Sequence, residues 1–437
     1  MEWLKQILTH LSDYVRALLV QAAHPESGLS RERRRFAVQL VVGLALAGDV
    51  MLSAIVRKLP RTEVAMRHRY KAADRMLGEI DLVPVAALQT AELGRRVGPG
   101  HIIAVDLSDI TKRYAKAMPH LHKVHDGSSG EIGRGYGLAT AVAHDLSGET
   151  KAIPLPLHFE VFSAGEEDFK SQPAIWMDML RKLFAATQHG TFVMDREADN
   201  RRILDLLLKE KRDFVIRVNT HEHSRHLVLF HSKTRTRIQD AWKEATFHGE
   251  LKASRLLGDG SRRPYEASYG ALEVRLPGQS QPLWLCVFDS LEHAAPMVLL
   301  TTHKADTSEA VIRVLAMYFG RWVVEEVHRF AKQSFKLENI RALTWNRLQN
   351  LVAAVWLVLG AVATYAQRPG AETALRGFEL LSQRLIKPLQ KAQFWGYALM
   401  DGLRQALPEA RRILNLIPGF WLPPPPDPQL PLFGLRA

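Results

Sequence analysis

Two short, wholly apolar runs that each end in an aspartate limit this fold most tightly: Ile102-Ile103-Ala104-Val105-Asp106 and Phe192-Val193-Met194-Asp195. A strand with apolar residues at consecutive positions must be covered on both faces, which calls for helices on both sides of a sheet. Residues 136–145 (YGLATAVAHD) and 151–162 (KAIPLPLHFEVF) read as two more strands around a Leu146–Ser147–Gly148 turn. Ser171 to Leu183 has helical spacing with Pro173 near its start, and 200–211 (NRRILDLLLKEK) reads as a second helix before the strand DFVIRV. Three strands, a helix, then strand–helix–strand predict an α/β layer with a mixed sheet.

On either side the rhythm changes. Residues 1–95 read as helical, with apolar residues three and four apart from Val38 to Val56, a break at Gly48 and a stop at Pro60. Thr62 is positioned to cap a second helix, Glu63 to Leu77. A short helix, a proline turn and a basic helix resemble a helix-turn-helix. Arg57, Lys58, Arg61, Arg67, Arg69, Lys71 and Arg75 outnumber Glu63 and Asp74 there. A DNA-reading face and a solvated basic face of a bundle both fit. Residues 219–303 hold glycine-rich turns and the runs HLVLFH, LEVRL, PLWLCVF and PMVLLTT, which predict a β-rich insertion. Helical spacing returns over 304–366 and on to about residue 415. The tail from Trp421 is extended, because consecutive prolines cannot form helix.

Charge narrows the partners. Lys and Arg number 58 against 46 Asp and Glu, a net +12, which favours a polyanion. Cys286, the single cysteine, excludes an intramolecular disulfide and a cysteine-built zinc site. The first residues lack the basic-then-apolar order of a secretory signal, so a cytoplasmic location is expected. The run Leu351 to Ala366 falls short of the ~20 residues that span a bilayer, so no membrane is expected and the charge points to nucleic acid.

Aspartates at the carboxyl ends of buried strands lie where α/β sheets build ligand sites. Asp195 equally fits a helix cap, and Asp109 is a second candidate beside Asp106. A third acid lies in Tyr318-Phe-Gly-Arg321-Trp-Val-Val-Glu325-Glu-Val-His-Arg-Phe-Ala-Lys332. At about 100° per residue, Tyr318, Arg321, Glu325 and Lys332 fall at about 0°, 300°, 340° and 320°, while Glu326 falls near 80°. One acid, two cations and a phenol therefore share a strip. A solvated helix face also carries Glu and Lys, but Val323, Val324, Val327 and Phe330 flank this one.

Tyr-x2-Arg-x3-Glu-x6-Lys is similar to the YREK signature of the insertion-sequence-four family of bacterial DDE transposases. Asp195-Arg196-Glu197-Ala198-Asp199 resembles that family's second-aspartate motif, and Asp106 in AVDLSDITK resembles the first. The order Asp, Asp, β-rich segment, Glu agrees, over roughly residues 30–365. The resemblance implies an RNase H-like core in two parts, 96–218 and 304–366, split by the insertion at 219–303. It further implies a DNA-binding region at 1–95 and a helical carboxyl-terminal region at 367–437. The implied activity is binding of terminal inverted repeats, 3′ cleavage and strand transfer into target DNA, by a dimer in the bacterial cytoplasm at the nucleoid. Asp106, Asp195 and Glu325 would hold two Mg²⁺ or Mn²⁺ ions, Asp106 bridging both. Two-ion chemistry suits hard oxygen donors and serves both oxygens of an in-line displacement. Tyr318, Arg321, Lys332 and Arg196 would contact phosphates near the cut, and Arg134, Arg67 and Arg69 would contact DNA further out. Members that form a DNA hairpin hold a flipped base with an inserted aromatic. Met297 stands at that position here, and Trp284 on the preceding strand reads either as its substitute or as a buried core tryptophan.

Other features carry less. His221, His223 and His226 lack a visible fourth ligand, and His120, His122 and His125 read as DNA-facing or solvated. Lys112, Arg113, Lys116, Lys123 and Arg134 either line a DNA groove or are scattered surface charges. Ser128 and Ser129 have no base at a recognisable spacing, and no Walker loop implies ATP. Two rival readings remain open at this level: a silent DNA-binding protein and a nuclease that cuts without joining.

Overall fold

The structure is a computed structural model that describes residues 2–22, 29–60, 62–112, 114–125, 130–146, 154–256, 262–290, 295–381, 396–418 and 420. Arg61, Arg113, Ser128, Ser129, the Ser147–Gly148 turn and the proline-rich tail lie outside them. Twelve strands among the described residues form one mixed sheet. Strand β1 (His101–Thr111) pairs antiparallel with β3 (Ile132–Asp145), which pairs with β2 (His122–His125) at its start and with β4 (Leu155–Phe162) along its other edge. On the far side of β1, β5 (Thr191–Met194) runs parallel to it and β6 (Phe214–Arg217) parallel to β5.

The sheet does not stop at β6. Strand β12 (Met297–Thr301) pairs antiparallel with β6, followed by β11 (Leu283–Asp289) and β10 (Arg262–Arg275). Strand β10 is edged by β9 (Thr246–Leu256) and β7 (His226–Leu229), with β8 (Arg235–Arg237) outermost. The four apolar runs read from this region are all strands. Strand β9 escaped the sequence pattern because most of its first half is solvent-exposed, which leaves no apolar face to read.

Helices cover both faces, as the consecutive apolar residues of β1 and β5 require. On one face α6 (Gln172–Ala186) and α7 (Arg201–Lys209) bury Trp176, Met179, Leu180, Leu204 and Leu207 against Ile103, Val105 and Phe192. On the other, α10 (Trp322–Phe335) and α11 (Trp345–Ala366) pack Val324, Val327, Phe330 and Trp356 on Ala104, Leu138 and Phe159. The Phe159 and Trp356 rings stack with centroids 5.1 Å apart. Helix α9 (Ser308–Gly320) covers Val193, Val215 and Leu299, and α8 (Ile238–Ala241) is one turn beside β7.

The apolar run Leu351 to Ala366 corrects the length argument above. It is part of the 22-residue α11, long and apolar enough to cross a membrane, but 94% of its apolar window is buried inside this protein. Around it gather α1 (Glu2–Ala22), α2 (Arg31–Ala47) and α5 (Val83–Gly94). Gly48 ends α2 in the left-handed region, φ 58°, donating to the Leu44 carbonyl, and α3 (Leu52–Lys58) leaves at a 91° bend. Helix α4 runs from Met66 to Glu79 and starts three residues later than the Thr62 cap implied, because Thr62 to Ala65 are exposed and no side chain caps it. Helices α12 (Ala371–Leu381), α13 (Gly396–Gln405) and α14 (Leu407–Leu416) fold back on α1, α2 and α10. There Arg404 donates to the Ser334 carbonyl, Arg16 to Pro418 and Gln39 to Phe420.

One buried amide ties the helical region to this frame. Asn350 of α11 donates to the carbonyls of Leu77 and Ile80 at 3.0 and 2.8 Å, and accepts from the Leu82 N–H at 2.8 Å. It thereby satisfies the turn between α4 and α5. Asn350→Ala strands these buried backbone groups and should cost on the order of 2–4 kcal/mol, read as a lower urea midpoint for loss of the helical signal.

Candidate active site

The two apolar runs place their aspartates side by side. Ile103 and Val105 point to α6 while Ala104, and with it Asp106, point to the α10 face, as strand alternation demands. Ala104 pairs with Val193 across the parallel strands, so Asp106 and Asp195 come level two residues on. Asp106 does not end its strand, as the sequence reading had it. Strand β1 continues to Thr111 paired with β3, and only the pairing with β5 ends there. Asp195 also serves as a cap, its Oδ1 accepting from the Arg196 N–H at 2.7 Å.

The third acid arrives from a break in the helix. Tyr318 lies in the last turn of α9, Arg321 sits between the two helices, and Glu325 lies in the first turn of α10, where the helix dipole favours an anion. The strip survives the break because Arg321 keeps helical dihedrals, φ −55° and ψ −28°. Gly320 permits the close approach, since a Cβ there would meet the Ile102 side chain at 2.7 Å.

Arg321 is the hub. Its guanidinium lies 2.9 Å from Glu325, 3.7 Å from Asp106 and 3.8 Å from Asp195, with its side chain 9% exposed. The Tyr318 and Trp322 rings flank it at 5.8 and 5.9 Å. The Tyr318 hydroxyl donates to Asp195 at 3.1 Å. Lys332 stands apart: its Nζ is 3.7 Å from Asp109, whose other oxygen accepts from Thr111. Asp109 therefore belongs to the Lys332 end of the site rather than to the centre.

Burial and charge set the protonation. Burial pushes the Asp106 carboxyl up to about 7, with Glu325, Glu197 and Asp195 adding repulsion and Arg321 opposing. Burial raises Glu325 too, against the pull of Arg321. At Asp195 burial is outweighed by Arg321, the Arg196 N–H, Arg217 and Tyr318, so its carboxyl stays below the ordinary range. Burial works against the Arg321 charge, and the carboxylates and Tyr318 more than restore it.

Arg217 was missed by the sequence reading. It ends β6 level with Asp195, because Val193 pairs with Val215, and its Nη1 is 4.0 Å from Asp195 Oδ1. The signal was available: FVIR repeats the form of FVMD, an apolar run closed by a charge. Other assignments fall outside the cluster. Arg196 and Arg134 are exposed. Arg67 is exposed on α4, whereas Arg69 donates to the carbonyls of Val56 and Pro60 and so holds the end of α3. Lys112 is buried and donates to the carbonyls of Glu338 and Ile340, which makes it a tether and not part of a DNA groove. Cys286 is buried. Met297 is half-buried and Trp284 faces Thr301 across β11 and β12.

Three hard oxygen donors around one cation make a charge environment suited to a divalent ion. Among the described residues, however, no three acidic, histidine or cysteine side chains stand close enough to hold one as arranged. The guanidinium occupies the place between them.

Comparison with known proteins places the chain in a family. Residues 99–360, from just before β1 into α11, match the family model described as Transposase DDE domain. A search of curated proteins finds no match. Among solved structures, a cryo-EM piggyBac transposase synaptic complex with hairpin DNA aligns at 11% identity and TM-score 0.45, covering 96% of this chain and 84% of that one.

In metal-free protein, Asp106 binds a proton in the folded state at pH values where the unfolded chain has released it. The folded state therefore loses stability as pH rises from about 4 to about 7. Asp106→Asn removes that loss. It should raise stability at pH 8 by something on the order of 2 kcal/mol, and leave it nearly unchanged at pH 4, as read by thermal melts in chelator.

Proposed function

The chain belongs to the transposase DDE domain family and is a DDE transposase acting in DNA transposition; from that premise we propose that it belongs to the YREK group of insertion-sequence-four enzymes. In this reading it binds the terminal inverted repeats of an insertion sequence, cleaves their 3′ ends and transfers them to target DNA. The observation that carries the reading is the convergence of Asp106, Asp195 and Glu325 on Arg321. An RNase H-like core is supported by the antiparallel β4–β3–β1 set, flanked by parallel β5 and β6. Because two ends are joined together, we further propose that it works as a dimer on DNA, in the bacterial cytoplasm.

Asp106, Asp195 and Glu325 would hold Mg²⁺ or Mn²⁺, two ions per site. When bound, such ions supply charge to the attacking and leaving oxygens of a phosphodiester. The remaining work is done by this chain's own groups. Tyr318 and the Arg196 N–H hold one oxygen of Asp195 and fix its orientation. Arg217 at the end of β6 and Lys332 near Asp109 bracket the acids, and in this reading both would neutralise DNA phosphates and set the register of the strand. The exposed Arg196, Arg134 and Arg67 extend positive charge away from the centre.

Labelled DNA carrying the flanking repeats, incubated with Mg²⁺ or Mn²⁺, tests the reading. Wild type should nick 3′ ends and join them, whereas Glu325→Gln should bind the same DNA and do neither. Nicking without joining would overturn the strand-transfer part of this reading and leave cleavage alone. Arg217→Ala should weaken binding across sequences and lower the slope of log affinity against log salt by about 0.9, one phosphate contact.

A further inference from the structure

Arg321 occupies the space that the proposed metal ions require. Carboxylate–metal bonds are about 2.0–2.6 Å long, yet the three acids stand 2.9 to 3.8 Å from guanidinium nitrogens. Ions can be held there only if the acids close in and the guanidinium moves out. A divalent charge beside the guanidinium would also repel it. No other cation among the described residues forms an ion pair with all three acids: Arg217 pairs with Asp195, Arg329 bears on Glu325, and Lys332 lies near Asp109.

The same side chain has a reason to stay while the protein is free. Asp106 is 18% exposed and Glu325 30% exposed, and without Arg321 they and Asp195 would face one another with no shared counter-charge. It also has a place to go. A DNA phosphate offers a guanidinium the same paired oxygens that a carboxylate does. The Arg321 backbone sits between two helices, with the rings of Tyr318 and Trp322 beside its guanidinium.

We propose that Arg321 is an internal counter-ion that keeps the metal site closed in the free protein, and that transfer of its guanidinium to a DNA phosphate opens the site. Divalent metal and DNA then bind with positive cooperativity, each tightening the other by the same factor. The site would not assemble its ions before DNA is in place. This rests on the reading of Asp106, Asp195 and Glu325 as metal ligands.

Mn²⁺ binding to the free, full-length protein, followed by the electron paramagnetic resonance signal of unbound Mn²⁺, tests it without activity. Arg321→Gln should bind Mn²⁺ about tenfold more tightly than wild type and gain more thermal stability from it. Arg321→Lys keeps a charge on a shorter reach and should fall between them, which covers the case in which the glutamine variant misfolds. Asp106→Asn separates the two layers of the argument. If it abolishes Mn²⁺ binding while Arg321→Gln and Arg321→Lys bind no more tightly than wild type, the counter-ion proposal fails and the metal reading stands. If Asp106→Asn and Glu325→Gln leave Mn²⁺ binding intact, the metal is elsewhere and both fail.

Discussion

Arg321 makes an arrangement possible that electrostatics would otherwise forbid. Asp106, Asp195 and Glu325 come from three separate elements and face one largely buried point, where burial and mutual repulsion both oppose ionisation. One guanidinium with contacts to all three offsets part of that cost. The offset is incomplete, which is why Asp106 titrates near neutrality while Asp195, with Arg217, Tyr318 and a backbone N–H as further partners, does not. The centre is poised rather than satisfied, a state that proteins keep at functional sites and compensate elsewhere.

The compensation lies in the frame. Asp106 and Asp195 are held by adjacent parallel strands that bury apolar residues on both faces, so neither can relax away from the other. Glu325 is held by α10, whose Val324, Val327 and Phe330 pack on the same sheet. Behind α10, Arg404 from α13 holds the Ser334 carbonyl near its end. The terminal helices therefore bear on the site indirectly, through the helix that carries the glutamate.

Much of this was legible in the sequence. FVMD and IIAVD named both aspartates, because consecutive apolar residues imply a doubly covered strand and a charge that closes such a run marks where that cover stops, although β1 itself runs on past Asp106 to Thr111. Helical spacing named Tyr318, Arg321 and Glu325 together. Lys332, two turns further along the same strip, lies beside Asp109 and away from the three acids. Lys112 and Arg69, basic residues in basic stretches, bind backbone carbonyls. Composition cannot tell a cation aimed at solvent from one spent inside the fold, since only the neighbouring chain supplies the carbonyls.

By itself the sequence determined the α/β character, the positions of most strands and helices, and that Asp106, Asp195 and Glu325 each adjoin an apolar run of such an element. These follow from local periodicity and from the rule that apolar surface is buried. Tertiary structure alone decided that the segment beyond Arg217 extends the same sheet, through the pairing of β12 with β6. It alone brought Arg217 level with Asp195 and put Arg321 between the three acids. Strand register and helix docking are set by contacts between residues distant in the chain, and no local pattern encodes which charge will meet which.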